Sequence, residues 1–314
     1  MSGSRAEFRV RVRPGVLPAG LRVLEQAGFE PELGGLDLGG VDALLCLLTD
    51  QIDECVLDSG DRLRLVANMA VGTDNIDLAA CARRGIAVSN TPGVLTDATA
   101  DLAFALLLAA ARRVVWGDRL VRGAGFTGWH PELGIGADVT GRTLGIVGPG
   151  RIGEAVAERA QGFRMRVLRC GRREAVGRVG LSELLEQADF VSLHVPLSEE
   201  TQHLIGEPEL RRMPRHAVLV NTARGPVVDE RALVRALREG WIGAAGLDVF
   251  EREPRLAPGL AALTNVVLLP HLGSATVETR NRMAEIAARN VVCALRGEPI
   301  LNPVGAVPSR GFAR

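Results

Sequence analysis

Residues 144–153 read Leu144-Gly145-Ile146-Val147-Gly148-Pro149-Gly150-Arg151-Ile152-Gly153, an apolar strand running into Gly148-x-Gly150-x-x-Gly153. The first glycine permits a tight turn, the second lets backbone approach a ligand closely, and the third lets the following helix, expected over about 152–161, pack against the strand. The helix N-terminus then presents unpaired N–H groups and the positive end of its dipole to an anion, which suits a dinucleotide pyrophosphate. Gly148, Gly150, Arg151, Ile152 and Gly153 are the candidate contacts. Glycines at this spacing also occur in ordinary strand–turn–helix connections, so the surrounding pattern has to carry the reading.

That pattern is one of recurring apolar strands. After Gly141 they fall at about 144–147, 166–170, 189–195, 217–221, 244–249 and 266–269, several separated by helical periodicity, as a doubly wound parallel sheet requires. One intervening helix opens at Asp229, carries Leu233, Ala236 and Leu237 on one face and stops at Gly240. Before Asn90 the grammar is shorter, with strands at about 8–12, 42–47, 64–67 and 86–88 and helices at about 21–27 and 75–84. The expected fold class is therefore α/β, with a dinucleotide-binding domain at 91–284 and a smaller, discontinuous parallel domain from 1–90 and 285–314 that would bind substrate. Two Ala- and Leu-rich helices, at about 96–113 and 276–295, are expected to carry the chain between them.

Composition removes other classes. The 314 residues hold 37 basic and 37 acidic side chains, so no overall positive field favours nucleic acid, and no basic tail favours a membrane. The longest apolar run, 102–111, is about half of a bilayer span, and the first ten residues lack a signal-peptide core, so a cytoplasmic location is expected. Cys46, Cys55, Cys81, Cys170 and Cys293 are scattered without paired spacing, which indicates neither a disulfide framework nor a metal site. There is no lysine and no tyrosine, which excludes a Walker-type phosphate loop, Schiff-base chemistry and the Tyr/Lys pair of short-chain reductases. Acid–base work must fall to His, Asp, Glu or Cys.

Three residues lie just past strands, where the crevice of a doubly wound sheet collects ligands: Arg224, Glu253 and His271. The guanidinium fork of Arg224 suits a carboxylate or a polarised carbonyl, although most arginines in this chain must be plain surface charges. His271 is the best placed of five histidines for proton transfer near neutral pH. Cofactor choice is read at the end of the second strand of the larger domain, where an acidic residue would accept from the 2′-hydroxyl of NAD. That position is Gly171, followed by Arg172 and Arg173, so NADP(H) is favoured over NAD(H); Glu174 is the carboxylate that could still serve NAD.

Segments Val71-Gly72-Thr73-Asp74-Asn75-Ile76-Asp77, Gly148 to Gly153, Asn221-Thr222-Ala223-Arg224-Gly225, Leu247-Asp248-Val249-Phe250 through Glu253-Pro254, and Pro270-His271-Leu272-Gly273-Ser274-Ala275-Thr276 resemble, in order, those of the D-isomer-specific 2-hydroxyacid dehydrogenases. Within that family, Thr91 to Asp97 and Leu295-Arg296-Gly297-Glu298-Pro299 look most similar to glyoxylate/hydroxypyruvate reductases. The resemblance implies a Rossmann-type domain inserted into a flavodoxin-like substrate domain, in a homodimer paired through the cofactor domain. It implies that Arg224 binds and orients a 2-keto acid, that His271 gives a proton to the carbonyl oxygen as hydride reaches carbon, and that Glu253 assists by favouring the imidazolium. Backbone N–H groups around Val71 and Gly72 would cradle the substrate carboxylate. Thr99, Thr222, Ala223, Asp248, His271 and Gly273 would line the nicotinamide pocket, and Val195 and Pro196 would border the adenine. Asp248 is open to a second reading, as a strand-end carboxylate capping a turn. Trp129, apolar in a glycine-rich stretch, either plugs a core or reaches a partner subunit.

The expected activity is thus an NAD(P)H-dependent reduction of a small 2-keto acid to the D-2-hydroxy acid, with no nucleic acid, membrane or metal involved. Three alternatives stand beside it. One is 3-phosphoglycerate dehydrogenase chemistry, disfavoured because no regulatory extension is expected after Leu295. Another is oxidation of a phosphonate analogue; the phosphite branch of the family carries a lysine where Val71 stands. The last is a non-catalytic, NAD(H)-sensing protein of the corepressor type, which would bind dinucleotide tightly without turnover.

Overall fold

A strand buried on both faces needs apolar side chains at successive positions, and this is how Ala43-Leu44-Leu45-Cys46 and Leu65-Val66-Ala67 are used. The computed structural model describes residues 8–172 and 176–305. The chain divides into two units, Met1–Leu95 with Ala275–Arg314, and Thr96–Ser274. These boundaries fall at 95/96 and 274/275, against the 90/91 and 284/285 read from sequence.

The first unit contains β1 (Val10–Val12), α1 (Pro18–Gln26), β2 (Pro31–Leu33), β3 (Ala43–Cys46), α2 (Glu54–Asp58), β4 (Leu65–Asn68), α3 (Leu78–Arg84) and β5 (Ala87–Ser89). All strands are parallel, in the order β2-β1-β3-β4-β5, the flavodoxin-like winding. Alternate residues feed opposite faces: Ala43, Leu45, Leu65 and Ala67 join one core, and Leu44, Cys46 and Val66 the other.

The second unit begins with α4 (Thr96–Ala111) and α5 (Val114–Arg122), then runs β6 (Thr143–Val147), α6 (Arg151–Gln161), β7 (Arg166–Cys170), α7 (Leu181–Gln187), β8 (Phe190–Leu193), α8 (Glu207–Arg212), β9 (Val218–Asn221), α9 (Glu230–Glu239), β10 (Ala244–Leu247) and β11 (Val266–Leu268). Its sheet is parallel, in the order β11-β10-β9-β8-β6-β7. Strand order therefore reverses between β6 and β8, and the glycine loop of 148–153 sits at the carboxyl end of β6 beside this switch point, where ligands of doubly wound sheets bind. α4 and α6 cover one face through Leu106, Leu107, Val156 and Ala160; α7, α8 and α9 cover the other through Leu184, Leu210 and Leu233.

The last helix, α10 (Val277–Arg296), returns to the first unit and packs on α1, β3 and β4. The Ala and Leu richness of α4 and α10 is thus accounted for inside single units, where small side chains let a helix lie close to a sheet. No helix among the described residues is long and apolar enough to cross a membrane.

Candidate functional site

Proton transfer requires a titratable pair held in register, and two turns of the second unit supply one. His271 follows β11 in the left-handed region, with φ of 57°, a conformation uncommon outside glycine. Its backbone N–H donates to the Asp248 carbonyl at 2.9 Å. The Asp248 carboxylate, 1% exposed, accepts from Leu272 N–H at 2.7 Å and Gly273 N–H at 2.8 Å, and Thr99 Oγ1 donates to the Gly273 carbonyl at 3.1 Å. Both Asp248 oxygens therefore pin the turn that presents His271. Burial raises the Asp248 pKa, and the two N–H groups and His271 offset this only in part.

The His271 ring meets Glu253 across 3.1 Å, Nδ1 to Oε2, and Glu253 Oε1 accepts from Phe250 N–H at 3.0 Å. Burial works to raise the Glu253 carboxyl, but the His271 bond, the Phe250 N–H and the His271 and Arg224 charges together hold it below the ordinary carboxylate range. With Nδ1 committed to Glu253, Nε2 is the nitrogen left for a reacting oxygen.

Arg224 follows β9 in an extended conformation. Its turn is shaped by Asn221, whose side chain accepts from Ala223 N–H at 3.0 Å and donates to the Arg224 carbonyl at 2.9 Å. The next residue has to be glycine: a Cβ on Gly225 would lie 1.8 Å from the Phe250 carbonyl carbon, so the Arg224 turn and the Glu253 loop touch backbone to backbone. Three of the other histidines are engaged elsewhere. Burial pushes the His194 imidazole down to about 4, and its Nε2 lies 2.8 Å from Ser192 Oγ; His203 pairs with Glu251 and His216 with Asp189.

The glycine loop has the form a pyrophosphate needs. A Cβ on Gly148 would meet the His194 carbonyl group at 2.7 Å and Val195 Cγ1 at 2.9 Å, whereas nothing lies within 4 Å of a Cβ on Gly150, the N-cap residue of α6. Gly153 abuts Ile146 and the Gly148 carbonyl, locking helix to strand. Arg151 and Ile152 open α6, with Arg151 exposed. Among the described residues, Thr222 Oγ1 is buried and has no hydrogen-bond partner, a state that costs free energy unless a ligand supplies one. The open approach at Gly150 and this orphaned hydroxyl both fit a dinucleotide. Val195 borders the loop, and exposed Pro196 accepts from Thr201 Oγ1 at 2.6 Å.

At the end of β7, Arg172 pairs with Glu200 at 3.0 Å on the surface. Arg173 and Glu174 lie outside the described residues. Arg178, which the spacing did not single out, continues the sheet by a bridge to Arg169, and its Nη1 is 3.2 Å from where a Cβ on Gly171 would be. Glu154 holds Arg169 with both oxygens, at 3.0 and 3.1 Å.

In the first unit, Val71 and Gly72 lie in the turn after β4. Asn68, fully buried, donates to the Gly72 carbonyl and to Asn75 Oδ1, each at 3.0 Å, while Asn90 donates to the Val71 carbonyl at 2.8 Å. Asn75 in turn donates to the carbonyls of Leu47 and Asp50. This amide network sets the turn; Asn68 lies outside the quoted motif, and only its position at the end of a buried strand could have pointed to it.

Comparisons with known proteins identify the family. Residues 104–273 match the family model described as D-isomer specific 2-hydroxyacid dehydrogenase, NAD binding domain. A glyoxylate reductase of Korarchaeum cryptofilum is 60% identical over 268 residues, covering 82% of this chain and 80% of that protein. The crystal structure of the TT0316 protein of Thermus thermophilus superposes with a TM-score of 0.90 at 47% identity, over 95% of this chain and all of that one. An NADPH-dependent glyoxylate/hydroxypyruvate reductase of Sinorhizobium meliloti, solved with NADP and malonate, gives 0.86 at 32% identity, over 96% and 98% of the two chains. The chain belongs to the D-isomer-specific 2-hydroxyacid dehydrogenase family. Its chemistry is accordingly hydride exchange between a nicotinamide dinucleotide and a 2-keto or 2-hydroxy acid.

Proposed function

We propose that this protein reduces glyoxylate or hydroxypyruvate, using NADPH in preference to NADH, and works as a homodimer. The observation that carries the reading is the 3.1 Å His271–Glu253 pair on a loop in backbone contact with the Arg224 turn. The bound nicotinamide supplies the hydride. Arg224 binds the substrate carboxylate and keto oxygen with its guanidinium fork and fixes the carbonyl's orientation. His271 gives the carbonyl oxygen its proton from Nε2, while Glu253 holds Nδ1 and stabilises the cationic ring. Backbone N–H groups around Val71 and Gly72 are proposed as a cradle for the substrate carboxylate, in a turn whose carbonyls are bound by Asn68 and Asn90. Thr222 Oγ1 takes its missing partner from the cofactor, and Thr99, Asp248 and Gly273 hold the wall of that pocket through their mutual hydrogen bonds.

NADPH preference rests on the lack of a carboxylate at Gly171 and on the Arg178 guanidinium beside it. The dimer reading rests on the segment from α5 onward. α5 buries no side chain, and Val114, Val121, Phe126, Trp129 and Ile135 are exposed, Trp129 by 80%. Beside them is a cavity of about 580 Å³ lined by Trp116, Leu120, Ile135 and Val266. Apolar surface of this extent marks an association face, and self-association closes it with two-fold symmetry.

The deciding experiment is a keto-acid panel assayed in parallel with NADH and NADPH, with Arg224→Ala and His271→Ala as controls. Both variants are expected to lose about 100-fold or more in kcat/KM. Retention of activity within a few-fold would refute the assigned roles, and sedimentation of the protein as a monomer would refute the dimer.

A further inference from the structure

Glu230 is 4% exposed, a burial that a carboxylate rarely tolerates without a specific use. It is the first residue of α9, next to the Asp229 N-cap, but its side chain does not serve its own helix. Oε1 accepts from Glu251 N–H at 2.5 Å and Oε2 from Ala257 N–H at 3.1 Å. Between those two anchor points the chain forms the loop that carries Glu253. A second strut comes from the Glu230 N–H, which donates to Glu251 Oε2 at 3.4 Å, while Glu251 Oε1 holds His203 at 3.1 Å.

We infer that Glu230 is a positioning residue, a buried clamp that closes both ends of the 251–257 loop and thereby sets Glu253 against His271. The inference rests on the proposed acid–base role of that pair. A loop bound at one end can swing, whereas binding at both ends restricts where the Glu253 side chain can point, and a displacement of about 1 Å at such a pair costs up to ~100-fold in rate. The clamp is held at a cost to the fold. Burial raises the Glu230 pKa against the two N–H groups, and the nearby charges of Glu251 and Glu253 raise it further. A cheaper core residue would suit α9 better, so the carboxylate's use has to lie in the loop.

The test is a double-mutant cycle of Glu230→Gln and Glu253→Gln, reading kcat/KM with glyoxylate against pH, NADPH affinity by fluorescence titration, and Tm. The amide keeps the volume of Glu230 but places an NH2 against one of the two backbone N–H donors, opening one end of the clamp. Expected are a loss of about tenfold in kcat/KM for Glu230→Gln, a change below twofold when the same substitution is made in Glu253→Gln, and unchanged NADPH affinity. The acid limb of the Glu230→Gln profile should move up, because a Glu253 released from its partners returns toward its ordinary value of 4.5. The charged groups facing Glu253 are His271 and Arg224, with Asp248 and Glu230 nearby; losing the Glu230 charge acts in the opposite sense, and the loosened His271 bond and Phe250 N–H, the larger influences on Glu253, outweigh it. Wild-type activity in Glu230→Gln alongside an impaired Glu253→Gln would overturn the clamp and leave the pair standing. So would an equal loss in both backgrounds, which is what general destabilisation produces. Wild-type activity in Glu253→Gln would refute the pair and the clamp with it.

Discussion

Replacing Gly225 by alanine is a one-methyl change expected to inactivate the enzyme without unfolding it. The new Cβ would fall 1.8 Å from the Phe250 carbonyl carbon, where ordinary contact begins at 3.4 Å, so the two loops must separate by 1.6 Å along that line. Neither side yields easily. The Arg224 turn is bound by Asn221, and the Phe250 loop is anchored through Glu230. Glu253 sits three residues beyond Phe250 and accepts from its N–H, so the displacement is carried to the carboxylate, and the 3.1 Å contact to His271 opens beyond hydrogen-bonding range. Overpacking of this kind costs about 1–3 kcal/mol of stability, which a two-core unit of this size survives. The loss of alignment is expected to lower kcat/KM by about 100-fold. Steady-state kinetics with glyoxylate and NADPH would be measured beside circular dichroism and cofactor titration. Gly180→Ala is the control, since nothing lies within 4 Å of a Cβ there and its φ is −65°. A folded Gly225→Ala enzyme with kcat/KM within threefold of wild type would show that contact between the two turns does not seat the catalytic pair.

Thr222→Val, which removes a buried hydroxyl with no partner, should leave the cofactor-free protein as stable as wild type or about 1 kcal/mol more stable, yet weaken dinucleotide binding about fivefold; tighter binding would contradict the role given to that oxygen. Arg178→Ala should raise the Kd for NADPH about tenfold or more and leave that for NADH alone, as read by titration with 2′,5′-ADP against 5′-AMP; equal losses would place the guanidinium elsewhere. At Asp189, burial is outweighed by the Thr143 N–H and by His216, so its pKa lies below 3.8 in the folded protein. The stability it contributes is complete above 3.8 and fades as pH falls through the lowered folded value. Asp189→Asn should therefore be destabilised in urea at pH 7 and converge on wild type in strong acid; a pH-independent gap would refute the assignment.

Much of the fold was legible because buried parallel strands are written as runs of apolar residues. The strand at 166–170 and the helix from Asp229 to Gly240 appear where periodicity and caps put them. β2 carries no legible signal: it is three residues at a sheet edge, starts at a proline and has one partner, leaving no apolar run. α5 has no boundary signal in the sequence, because the turn before it is made by Arg113 at φ 54°, with no glycine or proline to announce a break after the 96–113 pattern. The site divides in the same way. Arg224, Glu253 and His271 could be picked out as chemistry-bearing residues past strand ends. Asp248 could be read as a turn-capping carboxylate, but not which turn it caps; the role of Glu230 could not be read at all, because both carboxylates are defined by N–H groups more than twenty residues away and no local rule links them.

The return of α10 to the first unit has a consequence for the order in which the protein matures. Met283, Ala284, Ala287, Ala288 and Val291 fill a core otherwise lined by Val10, Leu24, Leu45 and Leu65, so the sheet of the first unit, synthesised before residue 96, stays half-covered until α10 emerges. The Thr96–Ser274 segment carries both of its own cores and can be completed earlier. Nascent chains stalled before residue 277 would thus present a finished nucleotide-binding module together with a preceding sheet whose greasy side has only α1 over it, the species most exposed to chaperones and to aggregation.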